Sequence, residues 1–360
     1  MPDQEEDLVA HLLAALQEAP DTTAHVSTRE QALPGGRADV VIDAEIAGQA
    51  VSLVVEAKRS ALYPRDTREA IWQLRNYLAH QSSDHGQIVP MVVAEELSPG
   101  AKDLLRDQHI GYFDRSGSLY VPARGAFVFI DKPPSKRGAR IVGSLFSGQR
   151  SQVLHAIWVR RADWFGVHEI ARTAPVSPTT VSETLVALER FGWVESRGSG
   201  PAKQRRLADP RGLLDAWSNH QTLLRPKQPR HFYVAGARPN EIMDRLDRAC
   251  SESQIKYAIT GTAAAQTYAP YLSNISRLNC RLATGPRTEV VLEVVQARPV
   301  REGWNLGIVD SDSTGGELLF RERINEVWFA DPLQTYLDLL QEGGRSKELA
   351  QHLRSERLGA

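Results

Sequence analysis

The stretch 35–60, GGRADVVIDAEIAGQAVSLVVEAKRS, reads as two β-rich runs joined by Ala47-Gly48-Gln49. With a two-residue turn at Gly48-Gln49, Asp39 falls opposite Lys58 and Val41 opposite Glu56. Side chains alternate faces along a strand, so Val40, Ile42, Ala44 and Ile46 share one face with Val51, Leu53, Val55 and Ala57. Asp39, Glu56 and Lys58 share the other face. One side of the hairpin is therefore expected to be core, and the other to carry a charged cluster. Two carboxylates on diagonal cross-strand positions can share a divalent cation through oxygen ligands, the donor set Mg²⁺ prefers. That makes Asp39 and Glu56 candidate metal ligands. A lysine beside them can orient an attacking water or neutralise charge developing at phosphorus. The plainer reading of the trio is an exposed cross-strand ion pair, contributing only about a few tenths of a kcal/mol.

This D-(x)n-E-x-K arrangement resembles the PD-(D/E)xK nuclease superfamily, the restriction-endonuclease-like fold, over roughly residues 1–130. The order of elements after the hairpin is similar too. Residues 66–79 (DTREAIWQLRNYLA) read as a helix with Ile71, Leu74 and Leu78 on one face and Gln73 off that stripe. QIVPMVVAEEL reads as a strand, SPGAKDLLRDQ as a Ser-capped helix, and IGYFDRSGSLYV as a strand pair. The resemblance implies catalytic roles for Asp39, Glu56, Lys58 and Gln73, with Mg²⁺ or Mn²⁺ on Asp39 and Glu56. Ala38 stands where the family motif carries proline, and Glu5 and Glu6 on a helix over 4–18 are carboxylates with no assigned place.

At 360 residues the chain is too long for one ordinary core. A charged fraction of 24% and a hydrophobic fraction of 42% fit a soluble, cytoplasmic globular protein, and no run is apolar enough for a membrane span. The acidic start MPDQEEDL is unlike a signal peptide. Cys250 and Cys280 have neither CxxC spacing nor a nearby His pair and read as core. The net charge of -1 does not announce a nucleic-acid binder, so positive charge facing DNA must be local. Proline and basic residues at 131–144 (DKPPSKRGARIVGS) and 221–230 (QTLLRPKQPR) read as linkers, dividing the chain into 1–130, 145–220 and 231–360.

In the middle segment, 149–161 (QRSQVLHAIWVRR) reads as an amphipathic helix burying Val153, Ile157 and Trp158. A short helix VHEIARTA and the turn PVSP come next, and Ser177 is placed to cap a helix PTTVSETLVALERFG with Pro178 at its first position. WVESRGSGPAKQRRLAD then reads as a β-hairpin. Helix, helix, turn, helix and wing is the order of a winged helix-turn-helix. In that fold Thr179, Thr180, Ser182 and Glu183 would reach base edges in double-stranded DNA. The wing would bring Arg197, Lys203, Arg205 and Arg206, with no acid among them, to phosphates. A solvated basic loop on a protein-contact module is the alternative.

Residues 231–282 read as strand, helix, strand, small-residue turn, helix, strand, an order that resembles the nucleotidyltransferase core with Gly261-Thr262 at its turn. The strand expected to carry paired acids reads Leu278, Asn279, Cys280, Arg281, so the domain is expected to be degenerate and non-catalytic. A tight packing turn is the simpler account of TGTAAA. ADPRGLLDAW, YAITGTAAAQTYAP and DPLQTYLDLLQEGGRSKELA are similar to the AbiEi family of type IV antitoxins, which join a winged helix to such a domain. The usual antitoxin lacks a domain like 1–130. The expectation is an α/β multidomain protein of bacterial origin that binds DNA as a transcriptional regulator or antitoxin-like repressor. The alternative is a Mg²⁺-dependent DNA endonuclease targeted by its winged helix. A toxin protein or a second copy is the further partner expected, and no membrane.

Overall fold

A computed structural model describes residues 3–33, 36–79, 87–133, 136–271, 274–312 and 316–359. They form two compact units, 1–142 with 185–194, and 143–184 with 195–360.

The first unit contains α1 (Asp3–Glu18), β1 (Thr22–Leu33), β2 (Gly36–Ile46), β3 (Gln49–Leu62), α2 (Pro64–Leu78), β4 (Gln87–Leu97), α3 (Pro99–Asp107), β5 (Gly111–Asp114), β6 (Leu119–Ala123) and β7 (Ala126–Ile130). The strands form one sheet in sequence order. β3, β4 and β5 run parallel, and the remaining neighbours are antiparallel. The two parallel connections are α2 and α3, as crossovers between parallel strands require. Leu8, Leu12 and Leu16 of α1 pack on Ile42, Leu53, Val55 and Met91. Ala70, Ile71 and Leu74 of α2 and Leu105 of α3 pack with Val54, Val92 and Ala94 on the opposite face. The sheet therefore lies between two helical layers.

The turn of the β2–β3 hairpin is Ala47-Gly48, with φ of 47° and 77°, not Gly48-Gln49. Positive φ at both central residues matches the twist of the flanking strands, and glycine takes the second position without strain. The register accordingly pairs Val41 with Val54 rather than Glu56 and moves by two residues from the expected one. A two-residue shift preserves which side chains share a face, so Val40, Ile42, Ala44, Ile46, Val51, Leu53, Val55 and Ala57 are all buried together. The other face is not simply charged. Val41 and Val54 are buried in its middle, because α2 and α3 cover it.

After α4 (Lys136–Leu145), which occupies the stretch read as a linker, come α5 (Gly148–Val159), α6 (Val167–Thr173), α7 (Pro178–Arg190), β8 (Val194–Arg197) and β9 (Gln204–Leu207). β8 and β9 form a two-stranded sheet, and Phe165 bridges to Arg205 beside it. Val153, Ile157, Trp158, Val181, Leu185 and Leu188 are buried. Ser177 Oγ accepts the Thr180 N–H at 3.1 Å, capping α7.

α8 (Pro210–Leu223) leads to β10 (Arg230–Tyr233), α9 (Pro239–Ser253), β11 (Tyr257–Thr260), α10 (Gly261–Tyr268), β12 (Leu278–Ala283), α11 (Thr288–Val294), β13 (Arg298–Pro299), β14 (Leu306–Ser311), β15 (Glu322–Ile324), β16 (Val327–Phe329), α12 (Pro332–Gln341) and α13 (Ser346–Leu353). Their sheet has the order β13-β10-β14-β12-β11-β16-β15. Cys250 and Cys280 are free thiols in its core. Among the described residues, no helix is long and apolar enough to cross a membrane.

Candidate functional site

The β2–β3 ladder ends at Val40↔Val55. One step further Asp39 leaves it, and its Oδ2 accepts the backbone N–H of Ala57 at 2.8 Å. A side-chain oxygen thus takes the place of a strand partner and brings a carboxylate against β3. On β3 itself, Glu56 is 6% exposed. Its Oε1 accepts from Lys58 Nζ at 2.7 Å, and Lys58 Nζ also donates to Gln73 Oε1 of α2 at 3.1 Å. Asp39, Glu56, Lys58 and Gln73 therefore meet in one place, one from β2, two from β3 and one from the crossover helix. Pairing between β3 and β4 slips just beyond Lys58, a bulge at the site's margin.

The electrostatics are unbalanced. Burial pushes the Glu56 carboxyl above its ordinary range, the Lys58 bond pulls it down, and Asp39 and then Glu5 push it up again. Glu5, unassigned by sequence, lies near enough for Glu56 to feel it, and is itself paired with Arg59 at 2.7 Å. Glu56 Oε2 is buried with no hydrogen-bond partner. A buried, unpaired carboxylate oxygen is costly, about 1–3 kcal/mol. A hard divalent cation shared with Asp39 would satisfy it. Among the described residues no group of three or more Asp, Glu, His or Cys is gathered to hold a metal. Two carboxylates nevertheless fit Mg²⁺, which takes one or two from protein and the rest from water and phosphate oxygens.

The second set of expected residues lies on α7 and the β8–β9 hairpin. Thr179 and Glu183 are exposed, and Thr180 and Ser182 half-buried. Arg197 and Arg206 are exposed and Lys203 half-buried. Arg205 corrects the expectation of a wholly solvent-facing basic wing, since it is 5% exposed. Strand alternation accounts for this: its backbone pairs with Phe165, and its side chain points with buried Leu207 rather than with Arg206. The β8–β9 hairpin also has an acid within reach, because Arg206 donates to Glu195 Oε1 at 2.9 and 2.5 Å.

In the C-terminal sheet, Gly261 (φ 62°) opens α10 and Asn279 and Arg281 lie on β12. Carboxylates missing from β12 arrive from α12 and the turn after it. Arg281, 4% exposed, bonds Asp338 at 2.8 and 2.5 Å and Glu317 at 2.7 Å. Asn279 Nδ2 donates to Glu342 Oε1 at 2.9 Å. They border a cavity of about 450 Å³ with Thr260, Arg277 and Trp304. Asp338 and Glu342 were missed by sequence, although their i, i+4 spacing in DLLQE marks one helix face. Asp338 is already neutralised by an internal guanidinium, so it offers no vacant cage for a cation.

No protein-family model matches the chain, and no curated protein matches it. Among solved structures, a repair endonuclease from Pyrococcus abyssi is similar at 21% identity and a TM-score of 0.23, over 31% of this chain and 47% of that one. A complex of EndoMS with double-stranded DNA is similar at 21% identity and a TM-score of 0.23, over 30% of this chain and 43% of that one. The chain spans less than half the length of either. Likenesses this small leave the functional reading to the site itself.

Proposed function

We propose that this chain is a DNA-binding protein whose first unit hydrolyses phosphodiester bonds of double-stranded DNA with Mg²⁺ or Mn²⁺. The observation that carries the reading is Glu56 Oε2, buried and unpartnered in a carboxylate whose proton affinity is raised by burial and by Asp39. Asp39 and Glu56 would hold the cation. When bound, the cation acidifies a water and stabilises charge on the scissile phosphate. Lys58 supplies a fixed positive charge beside Glu56, and Gln73 holds that ammonium in place. In this reading the 1–130 segment is restriction-endonuclease-like. The winged helix over 145–220 docks the duplex through Thr179, Thr180, Ser182, Glu183, Arg197, Lys203 and Arg206.

Cutting should require Mg²⁺ or Mn²⁺ and stop in EDTA. Asp39→Ala, Glu56→Ala and Lys58→Ala should each abolish it while duplex affinity is largely kept. Equal cutting by all three variants would identify a contaminating nuclease and sink the proposal. A second reading, an antitoxin-like repressor partnered by a toxin or a second copy, is favoured by the C-terminal segment, where β12 carries Arg281, bonded to Asp338 and Glu317, in place of the paired acids a transferase would give to metal. That reading is the one left if linear, supercoiled, single-stranded and branched DNA all remain uncut.

A further inference from the structure

Trp164 was not among the residues singled out by sequence, yet it organises the exposed face of the wing. The isolated bridge Phe165↔Arg205, with both N–H···O bonds at 2.9 Å, holds Phe165 and its neighbour Trp164 alongside β9. The guanidinium carbon of Arg197 lies 4.2 Å from the Trp164 ring centroid, and that of Arg206 lies 5.0 Å from it. Each guanidinium is also fixed along one edge. Nε and Nη2 of Arg197 both donate to Gln204 Oε1, at 3.1 and 2.7 Å, as those of Arg206 do to Glu195. Among the described residues the Nη1 group of neither arginine has a hydrogen-bond partner. The Nη1–Nη2 edge of each fork is thus left as one that can receive a phosphate in bidentate fashion.

We infer that Trp164 is a positioning residue for DNA binding: its indole holds Arg197 and Arg206 oriented for backbone phosphates. The inference rests on the DNA-binding reading above and adds to it how the contact is pre-organised. Guanidiniums already lie against the indole, so it is not a free platform for stacking a base. Within the hairpin 194–207, Arg197, Lys203 and Arg206 outnumber the one carboxylate, Glu195, and Asp163 beside Trp164 is paired with Arg160, so the patch stays positive toward a polyanion. An arginine side chain loses much rotamer freedom when it is fixed. Holding two of them before DNA arrives removes that cost from binding.

The test measures affinity for a labelled mixed-sequence duplex as a function of salt, using the full chain. Trp164→Ala should weaken binding roughly five- to thirtyfold, from two exposed cation–π contacts. The slope of log affinity against log salt should not change, because loosened arginines still reach phosphates. Trp164→Phe should restore most of the affinity. Arg197→Ala with Arg206→Ala should instead lower the slope by about two. In that double variant, adding Trp164→Ala should cost nothing further. An equal loss with and without the arginines, a slope that falls with Trp164→Ala, or wild-type affinity in Trp164→Ala each overturns the inference. A wild type that binds no duplex at any salt defeats the DNA-binding reading itself, and this inference with it.

Discussion

Replacing Glu56 by Gln should make the metal-free protein more stable, although the residue is proposed to be essential. In the native fold its carboxylate is 6% exposed, one oxygen lacks a partner, and Asp39 and Glu5 both disfavour its charge. Leaving a buried group unsatisfied costs about 1–3 kcal/mol. Against the relief must be set the weaker bond from Lys58 to a neutral amide, a loss of about 1 kcal/mol. The amide nitrogen can also donate where the carboxylate oxygen repelled. The net expectation is a gain of about 1 kcal/mol near neutral pH in EDTA, or roughly 2–4 °C in Tm for a unit of this size. Glu56 is raised in the folded state, so that state holds the proton to higher pH than the unfolded chain does. The wild type therefore carries no penalty below the unfolded carboxylate range, about pH 4, and acquires it as pH rises through the folded value. The advantage of Glu56→Gln must disappear in acid. Mg²⁺ should act the other way. At about ten times its dissociation constant, it should stabilise the wild type by about 1.4 kcal/mol and the variant hardly at all. Scanning calorimetry in EDTA and in Mg²⁺, at neutral and acid pH, reads all four conditions. An identical Mg²⁺ shift in both proteins, with no gain for Glu56→Gln in EDTA, would refute the metal site.

The two neighbouring arginines of β9 should behave differently. Arg206→Ala should lower the salt slope of DNA affinity by about one, whereas Arg205→Ala, removing a buried side chain, should leave the slope alone and cost about 1–3 kcal/mol of stability by denaturant titration. Asp338→Asn should destabilise the second unit by about 3–5 kcal/mol, because it takes the bidentate partner from a buried guanidinium, and a calorimetric transition that does not move would contradict the pairing.

Much of this was legible in the chain. Two-residue alternation in 39–58 identified the buried face of the hairpin, and it survived a register error because a shift of two residues keeps every side chain on its face. Gln73 was suggested by a resemblance together with its place off the apolar stripe of α2, and it is bonded to Lys58. Caps at Ser98 and Ser177 were readable because they are local chemistry between residues three apart. Beyond the grouping of Asp39, Glu56, Lys58 and Gln73, sequence did not decide the features that depend on residues distant in the chain. The helical layer over Val54 and the burial of Arg205, whose backbone pairs with Phe165, are such features. So are the arrival of Asp338 and Glu342 at β12 and the pairing of Trp164 with arginines more than thirty residues away. Local pattern determines which face of an element is apolar, since that depends only on its own period. Which charges meet across elements, and which oxygen is left without a donor, depends on how the layers close, and only the folded chain decides that.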